Sequence, residues 1–301
     1  MMDLAYYADV AYPLHKAARE GREVQLLALL ETGQYEVNNG SFDLVRPLHE
    51  ACLQGHYRCA CILLDHGAQV NIRNIDGATP LCDASSKGSV EIVKLLLDKG
   101  AQVNPQLAYS TPLHEAVMYN RWQCVELLLA HQANPNRSDC HYGYPLHIAA
   151  SRGHHRCAEI LLSFGANVNG THIHNTALHV SCKRQDEAMV TLLLGHGADV
   201  YAEDNQGRTA RDLIPTQGAL KKFLYLWERT PKSLSHHCRL SVRRVLGNRG
   251  LHLLQLVDLH VPQVVKDFLQ FQPQKKFVID NTVKIAQPEQ CWAKKELVVF
   301  R

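Results

Sequence analysis

The chain lacks any stretch of about 18 uncharged apolar residues, the length a membrane-spanning helix needs, so no membrane partner is expected. Its first residues, MMDLAYYADVAY, carry no basic leader and include Asp3 and Asp9, which argues against a secretory signal and for an intracellular, cytoplasmic chain. A dominant charge is also missing. Against 32 Lys and Arg stand 29 Asp and Glu, and a net +3 is too small to make nucleic acid the main partner. Three signatures of catalysis are absent: a GxxxxGKS/T phosphate loop, an HExxH zinc helix and a GxSxG elbow. After His49-Glu50 the next histidine is His56, too distant for one face of a single helical turn. No catalytic residue, cofactor or metal is therefore expected.

Cysteine and histidine are plentiful by contrast, at ten and eighteen residues. Without a secretory signal the cysteines should be reduced thiols. Their positions, and those of the histidines, follow from a repeat. PLHKAAREG (13 to 21), PLHEACLQG (47 to 55), PLCDASSKG (80 to 88), PLHEAVMYN (112 to 120), PLHIAASRG (145 to 153) and ALHVSCKRQ (177 to 185) are one phrase written six times. Their leucines Leu14, Leu48, Leu81, Leu113, Leu146 and Leu178 are spaced by 34, 33, 32, 33 and 32 residues.

Each recurring position has a physical reason. Pro13, Pro47, Pro80, Pro112 and Pro145 suit a first helical turn, where the missing N–H has no partner to lose. Thr79, Thr111 and Thr176 stand where an N-cap hydroxyl is wanted. Gly21, Gly55, Gly88 and Gly153 stop a first helix, and Gly33, Gly67, Gly100, Gly165 and Gly197 stop a second. In the fourth repeat Asn120 and Gln132 replace these glycines; Gln tolerates a left-handed backbone poorly, so that repeat is expected to end differently or to carry strain. Leucine pairs from Leu29/Leu30 to Leu193/Leu194 mark the second helix, and no single helix pair can bury such a face alone. Cys52 and Cys182 share the slot of Ala18 and Ala150, while Cys59, Cys124 and Cys157 share that of Ile92 and Met189, so these thiols read as small core residues.

Over roughly Tyr12 to Gly207 this pattern closely resembles the ankyrin-repeat family. A seventh copy begins at RTARDLI (208 to 214), with Arg211 at the leucine slot, and fades into LKKFLYLW (220 to 227), a shortened capping helix.

Beyond it, Leu234, Cys238 and Val242 in SLSHHCRLSV fall four residues apart and form one apolar helical stripe. That stripe either completes the chain's own core or is offered to another protein. With Val245 or Leu246 it is too short for an independent domain, and VDLHVPQVVKDFL (257 to 269) covers only part of it, so some apolar surface should remain for a partner. Pro231, Ser233, Leu234, Cys238 and Val242 resemble the elongin-binding box of a SOCS box, and Leu259, Val261 and Pro262 its cullin-selecting motif. Together with the repeats this is similar to the ankyrin-repeat and SOCS-box protein family, over about residues 12 to 270. The resemblance implies that Leu234 enters a pocket of elongin C with Cys238 alongside and Val242 in support. It further implies a cullin, the fifth, with its RING subunit. His260 stands where that motif usually has proline, which loosens the turn and weakens the cullin assignment. Residues 271 to 301 lie past the usual end of such a module and read as a loosely ordered extension, or as short apolar pieces around Phe277 to Ile279 and Leu297 to Phe300 that add strands or contact a partner.

The expected architecture is thus an all-α solenoid of six ankyrin repeats (12–207) after an N-terminal segment (1–11), then a degenerate cap (208–228), a small helical SOCS box (229–270) and an extension (271–301). The expected role is substrate recognition within an elongin B/C–cullin–RING ubiquitin ligase, without catalysis by this chain; the alternative is a free-standing ankyrin scaffold. His15, His49, His114, His147 and His179 fill one slot on helices about 8 to 10 Å apart, whereas zinc binds nitrogen at about 2.0 to 2.1 Å, so they read as structural. Arg239, Arg243, Arg244 and Arg249 lack interleaved aromatics and read as a solvated face rather than a nucleic-acid site. On the concave side Tyr109, Met118, Tyr119, Trp122 and Tyr142 concentrate residue types favoured at interface hot spots, and are the candidate contacts for a protein substrate. A second reading of Met118 and Trp122, as patches for a repeat without its glycines, carries equal weight.

Overall fold

The computed structural model describes residues 12–106, 110–139, 141–214 and 218–229. Expectations for 1–11, for Tyr109 and Cys140, and for everything from 230 onward, including Leu234, Cys238, Val242, Leu259, Val261 and Pro262, lie outside the described residues.

Six helix pairs follow one another: α1 (Pro13–Glu20) and α2 (Glu23–Glu31), α3 (Pro47–Gln54) and α4 (Tyr57–Asp65), α5 (Pro80–Lys87) and α6 (Val90–Asp98), α7 (Pro112–Met118) and α8 (Trp122–Ala130), α9 (Pro145–Arg152) and α10 (His155–Ser163), α11 (Ala177–Arg184) and α12 (Glu187–Gly195). Among the described residues one more helix, α13 (Ala219–Arg229), follows a run of turns over 208–214. Odd-numbered helices from α1 to α11 pack on one another in a row, and the even-numbered ones from α2 to α12 form a second row behind them. Between α10 and α11 two short antiparallel strands, β1 (Thr171–His172) and β2 (Asn175–Thr176), pair Thr171 with Thr176 and His172 with Asn175.

Proline opens each inner helix except α11, where Ala177 takes its place. The threonine caps divide. Thr111 and Thr176 accept hydrogen bonds from the backbone N–H of His114 and His179, as the sequence predicts, whereas the Thr79 hydroxyl turns to the Cys82 sulfur at 3.5 Å and caps nothing. The cause is local: Cys82 occupies the histidine slot and leaves the hydroxyl another partner. Gly88 shows why glycine ends these helices. Its φ is +87°, and a Cβ would lie 2.4 Å from the Arg121 side chain, whose Nε donates to the Ser86 carbonyl at 3.1 Å. In the fourth repeat the backbone does not change course for want of glycine: Asn120 and Gln132 adopt φ of +57° and +69° and absorb the strain.

Burial follows the stack. Leu63, Leu96, Leu128, Leu161 and Leu193 are fully buried between neighbouring repeats, each burial stabilising by about 1.5–3 kcal/mol. In the first repeat Leu29 and Leu30 are only half-buried and Val24 is exposed, because among the described residues α2 has an outer-helix neighbour on one side alone. At the far end Leu220 and Leu224 of α13 cover the last pair with Ala210 and Ile214.

Two hydrogen-bonded ladders tie the repeats. In the first, each buried histidine reaches the following loop through Nε2: His15 to Val45 O (2.8 Å), His49 to Ala78 O (3.2 Å), His114 to Gly143 O (3.1 Å), His147 to Asn175 O (3.0 Å) and His179 to Arg208 O (3.3 Å). Burial depresses the imidazolium form of His15, His49, His114 and His147, that of His49 to about 4. For His114, desolvation outweighs the opposing pull of the Asp139 carboxylate 4.0 Å away. His147 Nδ1 is buried without a partner among the described residues, because Tyr144 stands where other repeats supply a threonine hydroxyl. The second ladder is made of Asn38, Asn71, Asn104, Asn136 and Asn169. Each amide donates to the carbonyl at the next outer helix end and accepts a backbone N–H two residues later: Asn104 donates to Gln132 O at 2.9 Å and accepts from Asn134 N at 2.9 Å.

Candidate protein-binding face

One slot of the inner helices holds two kinds of side chain, and it is partly exposed where acids fill it but closed over Ile148. Two residues after the repeat leucine, α3, α5 and α7 carry Glu50, Asp83 and Glu115, where the other repeats have Lys16, Ile148 and Val180. Since α5 packs between α3 and α7, these three acids form a column. Burial raises the pKa of each carboxyl above its ordinary value. Glu50 is partly relieved by the charge of Arg19, and Glu115 by a hydrogen bond from Ser110. Asp83 is pushed up to about 8, by desolvation first and then by its neighbours Glu115 and Glu50.

Loop tips border this column. Phe42, Ile75 and Tyr142 are 91%, 60% and 50% exposed, and Ile173 at the turn between β1 and β2 is exposed as well. The loops hold their shape through buried or capped polar groups. Asn74 Oδ1 accepts from the N–H of Asp76 and Ala78, and the Asp139 carboxylate accepts from the N–H of His141, Tyr142 and Gly143. Adjacent tips are joined where Ile75 N–H donates to Asp43 O at 3.0 Å. The β1–β2 turn keeps Ile173 and His174 at φ of +48° and +63°, a strained conformation for a β-branched residue.

The aromatic candidates of repeat four occupy separate places. Tyr142 is a loop tip. Met118 ends α7, half-buried against the core, and Tyr119 follows it, exposed at the helix end. Trp122 opens the outer helix α8, with the Arg156 guanidinium of α10 5.6 Å from its ring centroid, so it faces the next outer helix. Among the described residues no ring contact links Tyr119, Trp122 and Tyr142. The acid column escaped the sequence reading, although its signal, an acid two residues after the leucine in three successive repeats, was present.

Cys52, Cys59, Cys82, Cys124, Cys157 and Cys182 are buried thiols, and burial raises the pKa of Cys82 and Cys182 to about 12. Among the described residues no group of three or more His, Cys, Asp or Glu could hold a metal ion, and no helix is long and apolar enough to cross a membrane.

Comparison with known proteins agrees with this geometry. Ankyrin-repeat profiles match residues 29–81, 71–139 and 113–204, and a SOCS box profile matches 230–270. The human ASB11 ankyrin repeat domain, a crystal structure, superposes with a TM-score of 0.68 at 36% identity, covering 73% of this chain and 99% of that one. Ankyrin repeat and SOCS box protein 13 of Mus musculus is 43% identical over 99 residues, 33% of this chain and 35% of the relative. Ankyrin repeat and SOCS box protein 5 of Mus musculus is 37% identical over 164 residues, 54% of this chain and 49% of the relative. The chain spans about a third to a half of the length of these two curated relatives. An ankyrin-repeat solenoid joined in one chain to a SOCS box is the class these features define. The chain belongs to the ankyrin repeat and SOCS box protein family.

Proposed function

We propose that this chain is the substrate-recognition subunit of an elongin B/C–cullin–RING ubiquitin ligase. The observation that carries the reading is the SOCS box match over 230–270, immediately after the helix that caps the repeat stack. In this reading residues 12–207 hold a protein substrate, 208–228 close the stack, 229–270 dock the ligase and 271–301 extend beyond it. Leu234 enters elongin C with Cys238 and Val242 beside it, and Leu259, Val261 and Pro262 select the fifth cullin with its RING subunit. His260 makes that selection weaker than elongin binding.

The chain itself performs no chemistry in this account and works inside the cell. Holding substrate and ligase on one chain raises the local concentration of lysine near the loaded ubiquitin carrier. Substrate is met on the inner face, with Tyr109, Met118, Tyr119 and Tyr142 as contacts, while Trp122, expected there from the sequence, opens the outer helix α8 and is not among them. Co-purification tests the reading: the wild-type chain should retain elongin B/C, and Leu234→Ala or Cys238→Phe should abolish retention while the thermal unfolding of the repeats stays unchanged. Wild-type chain that retains no elongin would leave a free-standing scaffold.

A further inference from the structure

Asp83 poses a problem that the adaptor reading leaves unanswered. It lies on α5 between α3 and α7 yet keeps some exposure, and its carboxyl has no hydrogen-bond or ion-pair partner among the described residues. The titratable groups that reach it are Glu50 and Cys52 from α3, Glu115 from α7 and Cys82 on its own helix; α6, packed on its other side, adds none among the described residues. None is a cation. A carboxylate kept among carboxylates destabilises the free protein and gains most from a positive charge brought by something else.

A single metal ion does not fit that role. Neighbouring helices stand about 8 to 10 Å apart, whereas calcium binds oxygen at about 2.3 to 2.6 Å, so three successive rungs cannot share one ion. A peptide spans the distance. The loops that accept from His15, His49 and His114 are those that bear Phe42, Ile75 and Tyr142, so exposed apolar tips stand beside the helices of the acid column. An extended chain advances about 3.3 Å per residue, so side chains two or three residues to either side of one set against Asp83 reach the flanking tips.

Resting on the adaptor reading, we propose that the inner face of repeats two to four docks an extended protein segment whose lysine or arginine sits on Asp83, between Glu50 and Glu115, with apolar side chains against Ile75 and Tyr142. The substrate class is therefore a basic residue flanked by apolar ones, captured by charge complementarity and by the loop tips. Binding a cation lowers the Asp83 pKa, so affinity rises with pH up to about 8, the value for the free protein, and is level above it.

The test is selection of a phage-displayed library of random dodecapeptides on the full chain, followed by fluorescence polarisation with the peptides recovered. The expected result is enrichment of Lys or Arg between apolar residues, with a loss of roughly tenfold or more when that residue is replaced by norleucine or the protein carries Asp83→Asn. Affinity of the wild type should rise between pH 6 and 8, and Asp83→Asn should remove the rise. A second variant, Ile75→Ser, alters only a loop tip and should weaken the same peptides while leaving folding unchanged. Recovery of no peptide, enrichment without basic residues, or affinities indifferent to Asp83→Asn and to pH would each overturn the proposal. Elongin B/C retention, measured on the same preparations, separates the two readings: if it persists while the peptide results fail, the adaptor role stands and only this substrate class falls.

Discussion

Replacing Asp83 by Asn should stabilise the protein at neutral and alkaline pH. The carboxyl has an ordinary pKa of 3.8 and is raised to about 8 in the fold, so the native state holds a proton that the unfolded chain releases. Stability contributed by the protonated form is complete below the unfolded pKa and is lost as pH rises toward 8. At about 1.4 kcal/mol per unit, the upper bound of the loss is about 5–6 kcal/mol. Contact with the open face lets water screen the charge, and a difference of about 1–3 kcal/mol between variant and wild type is expected at pH 8. Urea unfolding followed by circular dichroism, at intervals from pH 4 to 9, measures it. The gap should be near zero at pH 4, widen through neutrality and level off above pH 8. Comparing the two proteins cancels the histidine column, which titrates alike in both. A gap independent of pH, or a variant less stable at pH 8, would refute the electrostatic reasoning. If Asp83→Asn is more stable yet loses basic peptides, the charge is retained for binding at a cost in stability.

Three further outcomes are expected. His49→Gln should shift acid unfolding to lower pH, because the folded pKa is depressed to about 4 and stability is lost as pH falls from about 6.5 through that value; far-UV circular dichroism from pH 7 to 3 reads the shift. Asn104→Ala should cost about 1–2 kcal/mol and speed hydrogen exchange at the amide of Asn134, since one side chain serves both Gln132 O and Asn134 N. Gln132→Gly should raise stability by about 0.5–1 kcal/mol in urea unfolding, since φ at this position is +69°.

Much of the fold was legible because the repeat writes its reasons into residue types. Proline at the first helical position and glycine past the last follow from backbone geometry, paired leucines between them follow from burial, and together they define six helix pairs in the sequence. What escaped notice depends on neighbours distant in sequence. Asn38, Asn71, Asn104, Asn136 and Asn169 recur at nearly the leucine period, but they lie outside the helical phrase and their two-sided hydrogen bonds appear only once repeats are stacked. The isolation of Asp83 is of the same kind, since Glu50 and Glu115 lie 33 and 32 residues away. The Thr79 hydroxyl was misjudged for a local reason, as the cysteine three residues on competed for it.

The account as a whole turns on whether the apolar stripe of Leu234, Cys238 and Val242 belongs to another protein. The most direct measurement co-expresses the chain with elongin B and elongin C and weighs the purified complex by native mass spectrometry. The wild type should travel as a ternary complex of one copy each, and Leu234→Ala as a folded chain alone. A wild-type chain that emerges without elongins would contradict the ligase role and leave only a protein-binding scaffold.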